Sequence, residues 1–225
     1  MTYIRLSHLI ENNSPVHIGL KNPDIIPNNE ISKGNGYNTY IISVENHSGT
    51  HIDAPGHFVD GGKIISDYGV NELVFSNPLI LDMSKEQKEL IKIEEMSELN
   101  LDGIDCLIFR TGFEKYRKDN IETYLKLNPG IDPDLIYWLR ENYPEIRCVG
   151  IDCVSISRFG IPEQATEAHL NAFIEKKGLG KPLVLIEDMK LENVENEVVE
   201  EIIVIPWNIK GIDSAPCTVL AKINK

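Results

Sequence analysis

The sequence predicts an α/β protein with a single compact domain spanning residues 1–225. Short apolar runs, of the kind that fill a sheet covered on both faces, recur along the chain. Segments with helical periodicity lie between these runs, so strands and helices alternate. No Pro-, Gly- or Ser-rich linker divides the 225 residues, and a chain of this length can bury a substantial core.

The first predicted strand leads into a cluster of histidines. The stretch NTYIISVEN, residues 38–46, is rich in β-branched and aromatic residues and ends where the histidines begin. The segment before it, residues 14–38, lacks periodicity, and we expect a loop there that could cover a site. Five further strands are predicted from apolar runs, namely PLILDM, DCLIFRTG, RCVGIDCVSI, KPLVLIEDM and EEIIVIPWNI.

Two helices are predicted between the later strands. The first begins at Pro133 with Asp132 as its N-cap, because proline suits the first helical position and aspartate accepts from free N–H groups. The second covers residues 163–178 and stops at Gly178. Its apolar stripe includes His169, so this helix is expected to point a histidine inward.

Composition narrows the classes of partner and compartment. The chain carries 22 Lys+Arg against 35 Asp+Glu, a formal net charge of −13, which repels nucleic acid and anionic membranes. We therefore expect a small-molecule substrate and copies of the chain itself as partners. The amino terminus shows neither a secretory signal nor a membrane anchor, so the cytoplasm is the expected location. The four cysteines lie in apolar segments without a CxxC pair, as buried free thiols do.

The stretch HSGTHIDAPGH, residues 47–57, holds three of the six histidines and an aspartate. Glycine, proline and β-branched residues argue against a helix here, so extended chain is predicted. In a strand, His47, His51 and Asp53 would face the same side. Two imidazoles and a carboxylate suit zinc, manganese or ferrous iron, with positions left open for water and substrate. Pro55 fixes a turn that could bring His57 back towards this point.

The pattern HxGTHxDxPxH resembles the signature of the cyclase family of metal-dependent hydrolases, which includes bacterial kynurenine formamidases and isatin hydrolase. Other segments are similar to that family as well, including LSHLI, DAPGHFVDGGKIISDYGVNELV, GIDCVSI and PWNIKGIDSAPCTVLA. The resemblance implies a swivelling β/β/α domain with mixed sheets and flanking helices. It also implies a homodimer or homotetramer.

The resemblance further implies a site with two divalent metal ions per chain, zinc or manganese. His47, His51 and Asp53 would bind the first ion, and Asp53 would bridge to a second. His57 would act as the acid/base residue, while a metal-activated hydroxide attacks an amide-type carbonyl such as an aryl formamide. The second ion would be held by His169 and Glu187, both placed on buried faces of their predicted elements.

Two departures from the family pattern leave the substrate open. The aromatic residue expected near His17 is missing, and Ser155 stands where many members carry an aspartate. Tyr37, Phe75 and Trp207 are candidates for aromatic contacts instead. A cyclic amide or lactone hydrolase of the same family is therefore an alternative to a formamidase.

Two alternatives come from other functional classes. His47, His51 and Asp53 could form the facial triad of a ferrous oxygenase, which needs one iron and neither His169 nor Glu187. A catalytically silent binding protein would keep the fold without the chemistry, and His57 would then be dispensable.

Overall fold

A computed structural model describes residues 2–192, 194 and 198–224, and it confirms the predicted α/β class with a mixed sheet. The strands of the described part are β1 (Thr2–Arg5), β2 (Asp24–Asn29), β3 (Thr39–Ser43), β4 (His51–Asp53), β5 (Val74–Phe75), β6 (Pro78–Asp82), β7 (Leu90–Ile91), β8 (Cys106–Arg110), β9 (Gly130–Ile131), β10 (Cys148–Ile151), β11 (Val184–Glu187), β12 (Val199–Pro206) and β13 (Ser214–Ile223). The helices are α1 (Tyr116–Asp119), α2 (Ile121–Lys126), α3 (Pro133–Asn142) and α4 (Pro162–Phe173).

The large sheet joins a parallel half to an antiparallel half. Its strand order is β5-β12-β13-β4-β11-β10-β8-β6, with β1 also paired to β13. Strands β6, β8, β10 and β11 run parallel to one another, whereas β4 is antiparallel to both of its neighbours, β11 and β13. The short strand β4 therefore lies where the two halves meet, and it carries part of the histidine stretch.

Both faces of the parallel half are covered, which explains its continuous apolar runs. On one face, Leu107, Val149 and Leu185 pack against α3 and α4. On the other face, Ile108 and Ile186 join a second core cluster to which the antiparallel strands β12 and β13 contribute. All five strands predicted from apolar runs are confirmed, as is α3, whose N-cap is the predicted aspartate.

The segment before the histidine stretch differs from the prediction. Residues 14–38 were expected to form a loop, but they contain β2, which pairs with β3 in a separate two-stranded sheet. Pro27 and Asn28 interrupt any apolar alternation in β2, and a register shift lies between Pro27 and Asn29. Since alternation is the main signal for a strand, β2 gave no clear pattern in the sequence.

The four cysteines are buried and free, as their apolar sequence surroundings predicted. Across the described ranges, no helix has both the length and the apolar character that crossing a membrane requires.

Candidate metal centre

The centre is built on the pairing of β4 with β11. His51 lies directly opposite Glu187, and Leu185 lies opposite Asp53. Directly paired residues on antiparallel strands put their side chains on the same face, so the imidazole of His51 meets the carboxylate of Glu187. His51 Nε2 is 3.3 Å from Glu187 Oε2 and 3.6 Å from Asp53 Oδ1. All three side chains are buried.

His47 reaches the centre by a different route from the one predicted. Strand β4 begins only at His51, so His47 does not lie on a shared strand face and the parity argument was wrong for it. The chain turns between these residues because Gly49 adopts a left-handed conformation (φ 65°) that few other residues tolerate. His47 Nδ1 nevertheless lies 3.1 Å from Asp53 Oδ1.

His57 returns to the centre through the turn predicted at Pro55. A 3₁₀ turn spans Pro55–His57, and the His57 ring lies 4.2 Å from the ring of His47 between centroids. The Nδ1 atom of His57 is 2.9 Å from Asp213 Oδ2. Burial lowers the pKa of His57 below its ordinary value, so the ring is neutral at pH 7.

His169 points inward from α4, as its position on the apolar stripe predicts. Its Nδ1 atom donates to the carbonyl of Ala165 at 2.7 Å, which leaves Nε2 facing Glu187 Oε1 at 3.6 Å. Phe58 stacks on the His169 ring with 4.4 Å between centroids. The hydrogen bond to Ala165 and the stacked ring of Phe58 therefore fix the orientation of the His169 imidazole.

The donor set fits a divalent metal. Neither carboxylate oxygen of Asp53 nor Nε2 of His51 has a hydrogen bond of good geometry in the described part of the chain, although all three atoms are buried. Such atoms are costly to leave unpaired, and a cation satisfies them. Two groups of three residues bring ligand atoms within 4.8 Å of one another: His47, Asp53 and His57, and His51, Asp53 and Glu187. Asp53 is common to both groups.

The structure brings together all six residues singled out from the sequence, but it divides them differently from the family-based expectation. His51 lies nearer to Glu187 than to Asp53, and His57 lies close enough to join the group around His47. His169 contacts Glu187 without completing either group of three. The assignment of individual residues to individual metal ions therefore stays a prediction.

Without metal, the charges of the neighbouring side chains determine the protonation of His51 and Glu187. Burial alone would lower the pKa of His51, but the carboxylates of Asp53 and Glu187 outweigh burial and raise the pKa to about 9. Burial likewise would raise the pKa of Glu187, but His169 and His51 hold it well below the usual value. A cation that binds here must displace a proton from His51, since a ligating imidazole is neutral.

Sequence reasoning missed two polar residues that support the centre. Asp213 contacts His57, as given above, and Ser214 Oγ lies 2.9 Å from His47 Nε2 and accepts from the amide of Asn46. Ser214 is paired with Asp53 across β13 and β4. These residues lie more than 150 positions beyond the motif. They could have been identified only from the pairing of β13 with β4, which the sequence did not predict.

The loop after β10 orients Glu187. Ser155 donates its hydroxyl to Glu187 Oε1 at 3.1 Å, and the backbone N–H of Ile156 donates to the same oxygen at 2.7 Å. Ser155 was noted in the sequence only as a departure from the family pattern. Here it supports the carboxylate of a candidate ligand.

None of the three aromatic residues suggested for substrate contacts is part of this cluster. Phe75 is fully buried in the core, where the guanidinium of Arg147 lies over its ring. Tyr37 is 62% exposed near the tip of the β2–β3 hairpin, and Trp207 is 39% exposed beyond β12. The aromatic contact at the site comes instead from Phe58.

Comparisons with known proteins show the family of this chain. The family model Cyclase, described as "Putative cyclase", matches residues 4–158, more than half of the chain. A kynurenine formamidase of Bacillus cereus (strain ATCC 10987) is 28% identical over 176 residues, covering 78% of this chain and 75% of the relative. An uncharacterized protein of Haemophilus influenzae is 31% identical over 124 residues, covering 54% of this chain and 87% of the relative.

Two solved structures have folds similar to that of this chain. The structure of isatin hydrolase A from Labrenzia aggregata covers 100% of this chain and 94% of its own, with a TM-score of 0.81 and 19% identity. A structure described as a potential metal-dependent hydrolase with cyclase activity covers 98% of this chain and 96% of its own, with a TM-score of 0.75 and 23% identity. At these identities the likeness shows the fold.

Proposed function

The chain belongs to the Cyclase family, as its motif predicted, and from this premise we propose that it is a metal-dependent hydrolase cleaving an amide-type carbonyl. The leading substrate class is an aryl formamide, because relatives that match about three quarters of the chain are kynurenine formamidases. Hydrolysis of N-formylkynurenine would place the enzyme in tryptophan catabolism and, by expectation, in the cytoplasm.

The observation that carries this proposal is the buried donor set of His51 and Asp53, which lacks hydrogen bonds of good geometry in the described part of the chain, beside a second carboxylate, Glu187. The two carboxylates, together with the imidazoles of His47, His51 and His169, offer enough ligands for two divalent ions, zinc or manganese. His47, His51 and Asp53 would hold the first ion. A divalent metal bound here would lower the pKa of water to about 7 and polarise a carbonyl oxygen.

His57 would move the proton in this reaction. Asp213 accepts from the Nδ1–H of the neutral ring, which leaves Nε2 as a proton acceptor. During hydrolysis the oxygen of water forms a bond to the carbonyl carbon, and the bond from carbon to the leaving nitrogen breaks. His57 takes a proton from water and delivers it to that nitrogen, so the products are a carboxylic acid and an amine.

The contacts of Glu187 favour the hydrolase over the ferrous oxygenase. A facial triad of His47, His51 and Asp53 would have no use for a fourth and a fifth ligand. Glu187 instead contacts both His51 and His169, and the loop after β10 orients its carboxylate. This arrangement supports a second ion next to the first.

The test is the turnover of N-formylkynurenine, isatin and a simple lactone by protein loaded with zinc or manganese. The proposal predicts hydrolysis of at least one of them, with N-formylkynurenine the fastest. His57→Ala should lose at least about 100-fold in kcat while keeping its metal. A loaded protein inactive on every amide and lactone, or an active His57→Ala variant, would contradict the proposal. Hydrolysis of isatin or the lactone alone would indicate that the substrate is a cyclic amide or ester.

A further inference from the structure

A buried ion pair involves the residue that follows the candidate ligand Glu187 in the chain. The next residue, Asp188, is 2% exposed, and Arg117 donates to both of its carboxylate oxygens, from Nε and Nη2, at 2.7 Å each. The hydroxyl of Tyr124 donates to Asp188 Oδ1 at 2.6 Å. None of these three residues belongs to the motif, and none contacts the centre through a hydrogen bond to His51 or Glu187.

The backbone of Asp188 is held as firmly as its side chain. Its φ angle is 52°, in the left-handed region that residues other than glycine, asparagine and aspartate seldom adopt. Its N–H donates to the carbonyl of Cys153 at 2.7 Å, and its own carbonyl accepts from the hydroxyl of Thr50. A residue in this conformation persists only where its surroundings fix it.

These contacts bear on two candidate ligands at once. Glu187 immediately precedes Asp188, so the fixed backbone of Asp188 sets the direction in which β11 ends. Thr50 immediately precedes His51, and its bond to Asp188 ties β4 to β11 at the point where His51 and Glu187 pair. The backbone N–H of His8 donates to the same Thr50 hydroxyl at 2.9 Å.

We propose that Arg117 and Asp188 are positioning residues: their ion pair fixes the carboxylate of Glu187 and the imidazole of His51 for metal binding. This inference rests on the proposed function, since it concerns the same centre. Groups that orient metal ligands from behind commonly change metal affinity by about 10–100-fold when they are replaced. If the ion pair were purely structural, its replacement would lower the stability of the protein and leave the metal affinity of the folded protein unaltered.

The experiment measures the zinc dissociation constant by competition with a chromophoric chelator, together with the visible spectrum of cobalt-loaded protein. The variants are Arg117→Met, Asp188→Asn and the double variant; asparagine also tolerates the left-handed backbone. Arg117→Lys serves as the conservative rescue. Arg147→Met is the matched control, because Arg147 also pairs with an aspartate, Asp105, away from the centre.

The proposal predicts zinc binding about 10–100-fold weaker in each single variant, with a changed cobalt spectrum. The double variant should bind no more weakly than the worse single variant, because both remove one interaction. Arg117→Lys should recover part of the loss, and Arg147→Met should bind zinc like the wild type even at a lower Tm. If Arg117→Met does not fold, Asp188→Asn and Arg117→Lys decide the question.

Two outcomes overturn the inference and are distinguishable. Folded Arg117 and Asp188 variants with wild-type zinc affinity and cobalt spectra would contradict the positioning role. If Glu187→Gln nevertheless binds zinc more weakly than the wild type, the proposed function still stands. A wild-type protein that binds no zinc and no cobalt would contradict the proposed function and this inference together.

Discussion

Asp53 shows at the scale of a single residue why this centre is suited to binding a cation. Its side chain is 1% exposed, and burial alone would raise its pKa. His51 and His47 outweigh burial and hold the pKa of Asp53 below its usual value, so a charged carboxylate is buried among imidazoles. A charged carboxylate that is buried among imidazoles, without a hydrogen bond of good geometry in the described part of the chain, is rarely kept for stability alone, which favours a role in binding metal.

The contact between Asp213 and His57 gives the first prediction at this scale. Asp213→Asn should reduce kcat by at least about 100-fold, because an asparagine at this position can favour the wrong tautomer of the imidazole. Zinc affinity should stay within about twofold, since Asp213 is not among the proposed ligands. The measurement is steady-state kinetics with the substrate that the wild type hydrolyses best.

Asp60→Asn is the matched control for that variant. Asp60 is exposed in the same loop as His57, so its substitution should leave kcat unchanged. Equal losses in the two variants would show that the loss is not specific to Asp213, and would contradict a role for the contact between Asp213 and His57.

Glu114 gives a second prediction, which concerns pH and stability. Burial is the largest cause that raises its pKa from 4.5 to about 7, although the N–H groups of Leu191 and Glu192 donate to Oε2 and oppose the shift. The folded state thus binds the proton more tightly than the unfolded chain does. The stabilising effect is complete below about pH 4.5 and is lost as pH rises through about 7.

Neighbouring His8, 3.5 Å away, acts in the opposite direction. Burial lowers its pKa to about 4, so its contribution to stability grows as pH rises from about 4 to 6.5. Comparing the wild type with Glu114→Gln isolates the carboxyl, because the amide oxygen of glutamine can still accept from the two backbone N–H groups.

Urea unfolding at pH 5 and pH 8 tests this prediction. Relative to the wild type, Glu114→Gln should be more stable at pH 8 than at pH 5 by about 1–2 kcal/mol, after allowance for partial solvent exposure. A difference in stability that is the same at both pH values would contradict the raised pKa.

At the scale of elements, strand pairing and one tight loop assemble the centre. Strand β4 contributes only three residues to the large sheet, but its two neighbours bring Glu187 and Ser214 beside His51 and Asp53. The buried strands could be predicted from the sequence, because both faces of the parallel half are covered and leave long apolar runs.

Other elements could not be predicted for identifiable reasons. The position of His47 depends on the left-handed Gly49, which a strand pattern does not reveal. Asp213 and Ser214 reach the centre only because β13 pairs with β4, a contact between segments distant in the chain. Helical periodicity did place His169 correctly, because a single buried stripe defines the inward face of α4.

The loop that carries His57 gives a prediction at this scale. A Cβ atom at Gly62 would lie 2.8 Å from the carbonyl carbon of Pro55 and 2.9 Å from the nitrogen of Gly56, both backbone atoms. Gly62→Ala should therefore displace the turn and lower kcat by about 10–100-fold, because small displacements of catalytic groups are costly.

Gly36→Ala is the control for this variant, since in the described part of the chain no atom beyond its two chain neighbours lies within 4 Å of its Cβ position. Kinetics and thermal unfolding of both proteins provide the measurement. A Gly62→Ala protein as active as the wild type would show that the loop can adjust without moving His57.

At the scale of the whole molecule, the β2–β3 hairpin is the feature that a single chain leaves unexplained. It pairs with no strand of the large sheet in the described ranges, and its apolar side chains are about half exposed. They are Ile26, Tyr40, Ile41 and Ile42, with Tyr37 close to the tip. An apolar surface of this kind supports the proposal of a homodimer or homotetramer.

Sedimentation analysis tests the oligomer. The wild type should be a dimer or larger at micromolar concentration, and Tyr40→Ser with Ile42→Ser should weaken association by at least about 10-fold, because both side chains lie on one face of β3. Ile205→Ser on β12 removes an equally exposed side chain, 50%, and should not change association. A monomeric wild type would contradict the proposal.

The number of metal ions bound per chain tests the central claim most directly. Equilibrium dialysis of the wild type and Glu187→Gln against zinc and against manganese, followed by elemental analysis, gives this number. The proposed centre predicts two ions per chain in the wild type and one fewer in Glu187→Gln. A wild-type chain that binds one ion or none, or a Glu187→Gln variant that keeps two, would contradict the two-metal centre.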